Sequence, residues 1–170
     1  MLVLLRITTI NKGVVWMGRF EQMLIDNNNI KIKETNVLPN ELSGLTIDKM
    51  ILLNSNNKHV HKVEVLAEEL AHHKITYGDI CDQSKMLNRK FELKARRLGC
   101  EMLITLEGII DAFHAGVCNL HEMACHFEVS NNYVLKAIEH YKMKYGLDVY
   151  YKGYVIKFEP LQVFEHHNWE

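Results

Sequence analysis

Long hydrophobic runs, an excess of one charge and a dense set of cysteines are all missing from this 170-residue chain. The 20 Lys and Arg nearly balance the 21 Asp and Glu, and a formal net charge of -1 argues against a general binder of nucleic acids or membrane surfaces. No stretch is long enough to span a bilayer, and the apolar residues 1–5 are too few for a signal peptide. Since 48% of the residues are hydrophobic, one ordinary core and one soluble domain are predicted.

The cysteines are too few, in a chain this long and apolar, to indicate a disulfide framework. They are Cys81, Cys100, Cys118 and Cys125. Reduced thiols in the cytoplasm are therefore expected. A metal site could be imagined from four neighbouring side chains, Cys118, His121, Cys125 and His126. Their spacing within one helix differs, however, from that of paired Cys-x-x-Cys ligands. We interpret them as one side of a short helix.

The most informative stretch is Val65–His73, which places two carboxylates and two imidazoles within two turns of a predicted helix, His61 to Lys74. Glu68 and His72 stand four apart and share a helix face, with Glu69 beside them. Short strands precede this helix. They are predicted at Ile30–Lys33 and at Leu45–Leu53, the latter as two strands or one bent strand.

The spacing is that of the His-Glu-x-x-His metallopeptidase motif with one ligand changed. In that motif two histidines hold zinc, and the glutamate after the first takes a proton from the attacking water. Here Glu68 occupies the first ligand position, Glu69 the general-base position and His72 the second ligand position. A carboxylate coordinates zinc at about 2.0–2.2 Å, as an imidazole does, and oxygen ligands also favour harder ions such as Mn²⁺. On its own the pattern is weak, because a charged helix face in water also matches it.

The remaining chain reads as mainly helical. A second long helix is predicted from Ser84 to Ile104 and a third through His114. Residues 117–159 have the outline of a helix-turn-helix followed by a hairpin, with Asn131 and Lys136 near the start of its second helix. That second helix is not strongly basic, so we favour packing or partner docking over DNA binding. The predicted fold class is α+β.

Three ordered segments, residues 66–73, 77–80 and 88–97, carry a family pattern, and residues 42–53 and 141–146 also fit it. Together they resemble the ImmA/IrrE family of metallo-endopeptidases, in particular its phage-encoded branch. The resemblance covers about residues 17–164.

This resemblance implies a zincin-like fold in which a glutamate of the following helix is the third metal ligand, and Glu92 matches that position. The metal would be Zn²⁺, with Mn²⁺ or another divalent ion as the alternative. The resemblance also implies cytoplasmic cleavage of a helix-turn-helix repressor, which switches genes of a phage or mobile element.

Residues 1–16 are expected to lie outside the domain, since Lys12-Gly13-Val14 can be encoded by a purine run that resembles a ribosome-binding site before Met17. A short strand at a sheet edge is the alternative for these residues. The alternative function is a non-catalytic module that binds a repressor or DNA through its C-terminal helices. A di-iron carboxylate protein is a more distant alternative, built on Glu69 and His72 with Asp111 and His114.

Overall fold

The computed structural model describes residues 7–8, 15–75 and 86–166, and its elements are α+β as predicted. The helices are α1 Arg19–Asp26, α2 His59–Ile75, α3 Met86–Leu103, α4 Leu106–His114, α5 Leu120–Phe127 and α6 Asn131–Tyr145. The strands are β1 Ile7–Thr8, β2 Val15–Trp16, β3 Lys31–Thr35, β4 Gly44–Ile47, β5 Met50–Asn54, β6 Asp148–Tyr151, β7 Tyr154–Phe158 and β8 Leu161–Glu165. In this part of the chain, no helix combines the length and apolar character needed to cross a membrane.

Two compact units divide the chain at residues 99 and 100, within α3. The single domain predicted over residues 17–164 stays a prediction. The assignment of residues 1–16 to an extension outside the domain also stays a prediction. Within these residues the structure describes β1 and β2, which pair antiparallel. The segment 77–80, which contributes to the family pattern, lies outside the described residues.

In the first unit, α2 packs on a three-stranded sheet of order β3-β5-β4. β3 runs parallel to β5 and β4 runs antiparallel to it. The central strand β5 alternates, so Ile51 and Leu53 are fully buried beside the apolar face of α2, where Leu66 and Leu70 are also fully buried. Two strands form where the sequence left open one bent strand, because the chain turns after Ile47 with Asp48 in the left-handed region at φ 51°.

In the second unit, three helices begin at residues whose side chains accept a backbone N–H. These are Thr105, Asn119 and Ser130, which cap α4, α5 and α6. Phe127, Val134 and Ile156 are among the buried core side chains. The predicted C-terminal hairpin corresponds to β6 and β7. A third strand that was not predicted, β8, pairs antiparallel with β7 and gives a sheet of order β6-β7-β8. In β8, Val163 is buried and Phe164 is exposed, an alternation too short to recognise in the sequence.

Candidate active site

The predicted site residues of α2 and α3 meet through one imidazole and one carboxylate. His72 Nε2 lies 3.1 Å from Glu92 Oε2, and the two side chains are only 13% and 22% exposed. The other oxygen of Glu92 accepts from Arg96 Nη2 at 2.7 Å, one turn further along α3. Glu92 is therefore both the partner of His72 and a member of an ordinary helix ion pair.

Gly99 allows α3 to approach the backbone of α2. A Cβ atom at Gly99 would lie 3.3 Å from the backbone N of Glu68 and 3.4 Å from the carbonyl of Ala67. Gly99 is seven residues after Glu92, so both lie on the same face of α3, with the fully buried Ala95 between them. Because Gly99 faces residue 68 and Glu92 faces residue 72, the two helices run antiparallel here.

Glu69 points toward the sheet and is held by β4. Thr46 Oγ1 donates to Glu69 Oε2 at 2.6 Å and lies 3.3 Å from the backbone oxygen of the same residue. Burial raises the pKa of Glu69 above its ordinary value, against the opposing effects of the Thr46 hydrogen bond and of nearby His72. A carboxylate whose pKa moves toward neutrality is a better general base than an ordinary surface glutamate.

The His72–Glu92 pair is electrostatically complementary. Burial works to lower the pKa of His72, but the hydrogen bond and charge of Glu92, together with Glu69 and Glu68, outweigh it and raise that pKa. The hydrogen bond with His72 lowers the pKa of Glu92, and Arg96 adds to this effect against the opposing effect of burial. Around His72, three carboxylates therefore favour a positive charge, either a proton or a cation.

Of three comparisons with known proteins, one found a match. The family model described as the IrrE N-terminal-like domain of peptidase family M78 matches residues 25–139, which include α2, α3 and the sheet beneath α2. The chain belongs to this peptidase family. No significant match was found among curated proteins or among solved structures.

Membership in the IrrE-like family confirms the resemblance read from the sequence and supports a metallopeptidase-like domain with a zincin-like fold. A metallopeptidase family implies a divalent metal, usually zinc. The membership in the phage-encoded branch stays a prediction.

Whether the residues fit such an ion can be tested on the His72–Glu92 distance. Two ligand atoms each about 2.1 Å from one tetrahedral ion lie roughly 3.4 Å apart, and the observed separation is 3.1 Å. These two side chains therefore fit as neighbouring ligands of one ion.

Within residues 15–75 and 86–166, however, no three His, Cys, Asp or Glu side chains are grouped as a metal site, so Glu68 does not complete the set in this arrangement. Glu68 is half-buried on α2 beside Gly99, and its role as a ligand stays a prediction.

Three features of this site could not be inferred from the sequence. Thr46 of β4 donates to Glu69, Gly44 of the same strand leaves space beside Glu69, and His73 Nδ1 donates to the carbonyl of Asp48 at 3.1 Å. The bond of His73 ties α2 to the turn between β4 and β5. Nothing in local spacing connects a strand with a helix residue 23 positions later.

The alternative sites gain little from the structure. Cys125 Sγ and His121 Nε2 are 3.8 Å apart, while Cys118 Sγ donates to the carbonyl of Gly116 at 2.9 Å. Neither these residues nor any other described part of the chain form a group of three metal-binding side chains. His121, Cys125 and His126 lie on α5, and Cys118 lies in the turn before it.

Proposed function

We propose that this chain is a cytoplasmic metal-dependent endopeptidase that cuts a helix-turn-helix repressor and so controls a phage or mobile-element gene switch. The observation that carries the proposal is the pairing of His72 with Glu92 at 3.1 Å beside the half-buried, hydrogen-bonded Glu69. The chain's membership in a peptidase family supports the same reaction class.

In this proposal Glu68, His72 and Glu92 hold a divalent ion, and Glu69 does the proton chemistry. A bound ion would supply Lewis-acid polarisation of the scissile carbonyl and make water more acidic. Glu69 accepts a proton from the attacking water and then delivers it to the leaving amine. The raised pKa of Glu69 suits this exchange, because a proton must be both taken and released near neutral pH.

The charge of the ligand set bears on the metal. Glu68 and Glu92 bring two negative charges where two histidines and one carboxylate would bring one. Two carboxylates nearly cancel the charge of a divalent ion, so its effect on water is weaker and harder ions such as Mn²⁺ become competitive with Zn²⁺. Arg96 forms an ion pair with Glu92, so Glu92 neutralises less of the charge of the ion.

A second candidate function is a non-catalytic module that binds a repressor without cutting it. The observation that favours it is the chain of contacts His72–Glu92–Arg96, which satisfies the Glu92 carboxylate with protein partners alone. Binding of DNA through α6 has less support, because Lys142 and Lys144 of that helix pair with Glu159 and Glu101.

Co-incubation with the helix-turn-helix repressor encoded beside this gene separates the two candidates. The protein is treated with a chelator and then supplied with Zn²⁺ or Mn²⁺, and repressor fragments are measured by mass spectrometry. We expect cleavage by the wild type and at least about 100-fold slower cleavage by Glu69→Gln, which removes the base.

Glu64→Gln is the matched control, since Glu64 lies on the same helix but pairs with His61. A repressor that stays intact with every metal would contradict the first proposal. Repressor inactivation without fragments, unchanged in Glu69→Gln, would support the second candidate.

A further inference from the structure

Strand β4 holds Glu69 through two residues that point to the same side of the sheet. Gly44 and Thr46 are two apart, and their partners on β5, Leu53 and Ile51, are fully buried toward α2. The face of β4 that carries positions 44 and 46 is therefore the face against α2. Thr46 binds Glu69 of α2, and the space beside Gly44 is bounded by the same residue.

Thr46 restricts one carboxylate oxygen of Glu69. Its hydroxyl donates to Oε2 at 2.6 Å, a short contact typical of a hydroxyl bound to a charged oxygen. Because Thr46 is β-branched and sits in a strand, its χ1 angle has few alternatives, so the hydroxyl direction is largely set by the backbone. This hydrogen bond uses one lone pair of Oε2, so Oε1 is the oxygen that the Thr46 hydroxyl leaves unconstrained.

Gly44 sets the space on the other side of the same carboxylate. A Cβ atom at position 44 would lie 2.5 Å from Val65 Cγ1, 3.0 Å from Glu69 Cγ and 3.1 Å from Glu69 Oε1. A methyl group would have to displace Val65, a core side chain that is only 7% exposed, or the carboxylate itself. Glycine at this position therefore leaves space beside Glu69 Oε1.

The far end of β4 is fixed to the same helix. His73 Nδ1 donates to the carbonyl of Asp48, which follows β4 directly, at 3.1 Å. Since a carbonyl oxygen only accepts, that ring nitrogen carries a proton. The strand is thus attached to α2 at two points one helical turn apart, at Glu69 through Thr46 and at His73 through Asp48.

We propose that Thr46 and Gly44 are positioning residues for the reaction of Glu69: Thr46 holds Oε2 and Gly44 keeps open the space around Oε1, so that Oε1 is the oxygen that exchanges the proton. This inference rests on the endopeptidase function proposed above. A purely structural role would be different, since a hydroxyl on a half-buried carboxylate would then only satisfy its charge and would not affect turnover.

Kinetics of Thr46 variants on the same repressor test the proposal. We expect Thr46→Val to lower kcat by about 10-fold or more with KM within about 2-fold, because the general base is misplaced while substrate contacts remain. Thr46→Ser restores the hydroxyl and should recover kcat to within about 3-fold. Thr35→Val is the control in the same sheet, because the Thr35 hydroxyl accepts from the N–H of Val37. A Thr46→Val protein with wild-type kcat would overturn the proposal.

A readout without substrate comes from thermal unfolding of Thr46→Val, Glu69→Met and the double variant. We expect Thr46→Val to lower Tm by about 3–6 °C in the wild-type background and by less than about 1 °C in the Glu69→Met background. Equal shifts in both backgrounds would overturn the assignment whether or not a substrate is cut. A clear difference, together with a wild type that cuts no repressor, would refute the proposed function alone.

Discussion

Replacing Glu92 by Gln in chelator-treated protein removes one charge from the pair with His72 and preserves the shape of the side chain. A hydrogen bond to a charged group contributes about 1.5–3 kcal/mol, and the glutamine oxygen retains part of it. The contact with Arg96 adds at most about 1 kcal/mol, because the Arg96 side chain is 61% exposed. We therefore expect a loss of about 2 kcal/mol, or a Tm lower by about 4–8 °C for a chain of this size.

The pH dependence of this loss follows from the two pKa shifts. The raised pKa of His72 means that its contribution is fully present below the ordinary value of 6.5 and is lost as pH rises through the folded value. The lowered pKa of Glu92 means that its contribution is present above the ordinary value of 4.5 and is lost as pH falls through the folded value. The Tm difference between wild type and Glu92→Gln should be greatest between these two values and decrease on both sides.

Differential scanning calorimetry from about pH 3.5 to pH 9 measures this difference. Lys94→Gln on the exposed side of the same helix is the control, with no pH-dependent maximum expected. A Tm difference that is flat across the range would refute the ion pair as the source of the stability.

Three further substitutions test other parts of the account. Gly108→Ala would place a Cβ atom 2.7 Å from Cε1 of the fully buried Phe127. We expect the free energy of unfolding, measured by chemical denaturation, to fall by about 1–2 kcal/mol although alanine has the better helix propensity. An unchanged denaturation midpoint would refute this contact. Tyr141 is only 3% exposed, and Tyr141→Phe removes the 2.6 Å hydrogen bond from its hydroxyl to the carbonyl of Ile104, so a Tm lower by about 3–6 °C is expected. An unchanged or higher Tm would contradict this expectation. Glu68→His restores the usual ligand, so competition titrations should show a preference for Zn²⁺ over Mn²⁺ at least about 10-fold greater than in the wild type; an unchanged preference would argue against Glu68 as a ligand.

Local spacing was sufficient to predict α2 and the order of its functional groups. The 3.6-residue period places Glu68 and His72 on one face and Glu69 beside them, and the observed helix extends the predicted one by only a few residues at its ends. The approach of Glu92 to His72 came from the family resemblance. Its physical basis, the glycine that lets α3 approach α2, is recognisable only once the two helices are seen together.

The parts that the sequence did not predict are contacts between distant segments. Thr46 and Glu69 are 23 positions apart, and neither residue is unusual in its own element. The strand β8 was missed because its apolar positions, Leu161 and Val163, are too few to establish a period of two. Such contacts depend on the register of β4 against β5 and of β7 against β8, which short strands specify weakly.

Metal content is the most direct test of the central claim that this chain is a metal-dependent peptidase. Protein purified without chelators and equilibrated with Zn²⁺ or Mn²⁺ is measured by inductively coupled plasma mass spectrometry. We expect about one bound ion per chain in the wild type and in Glu69→Gln, and a large loss in His72→Ala and in Glu92→Ala. A wild type without bound ion, or a metal content unchanged by both alanine substitutions, would contradict the account.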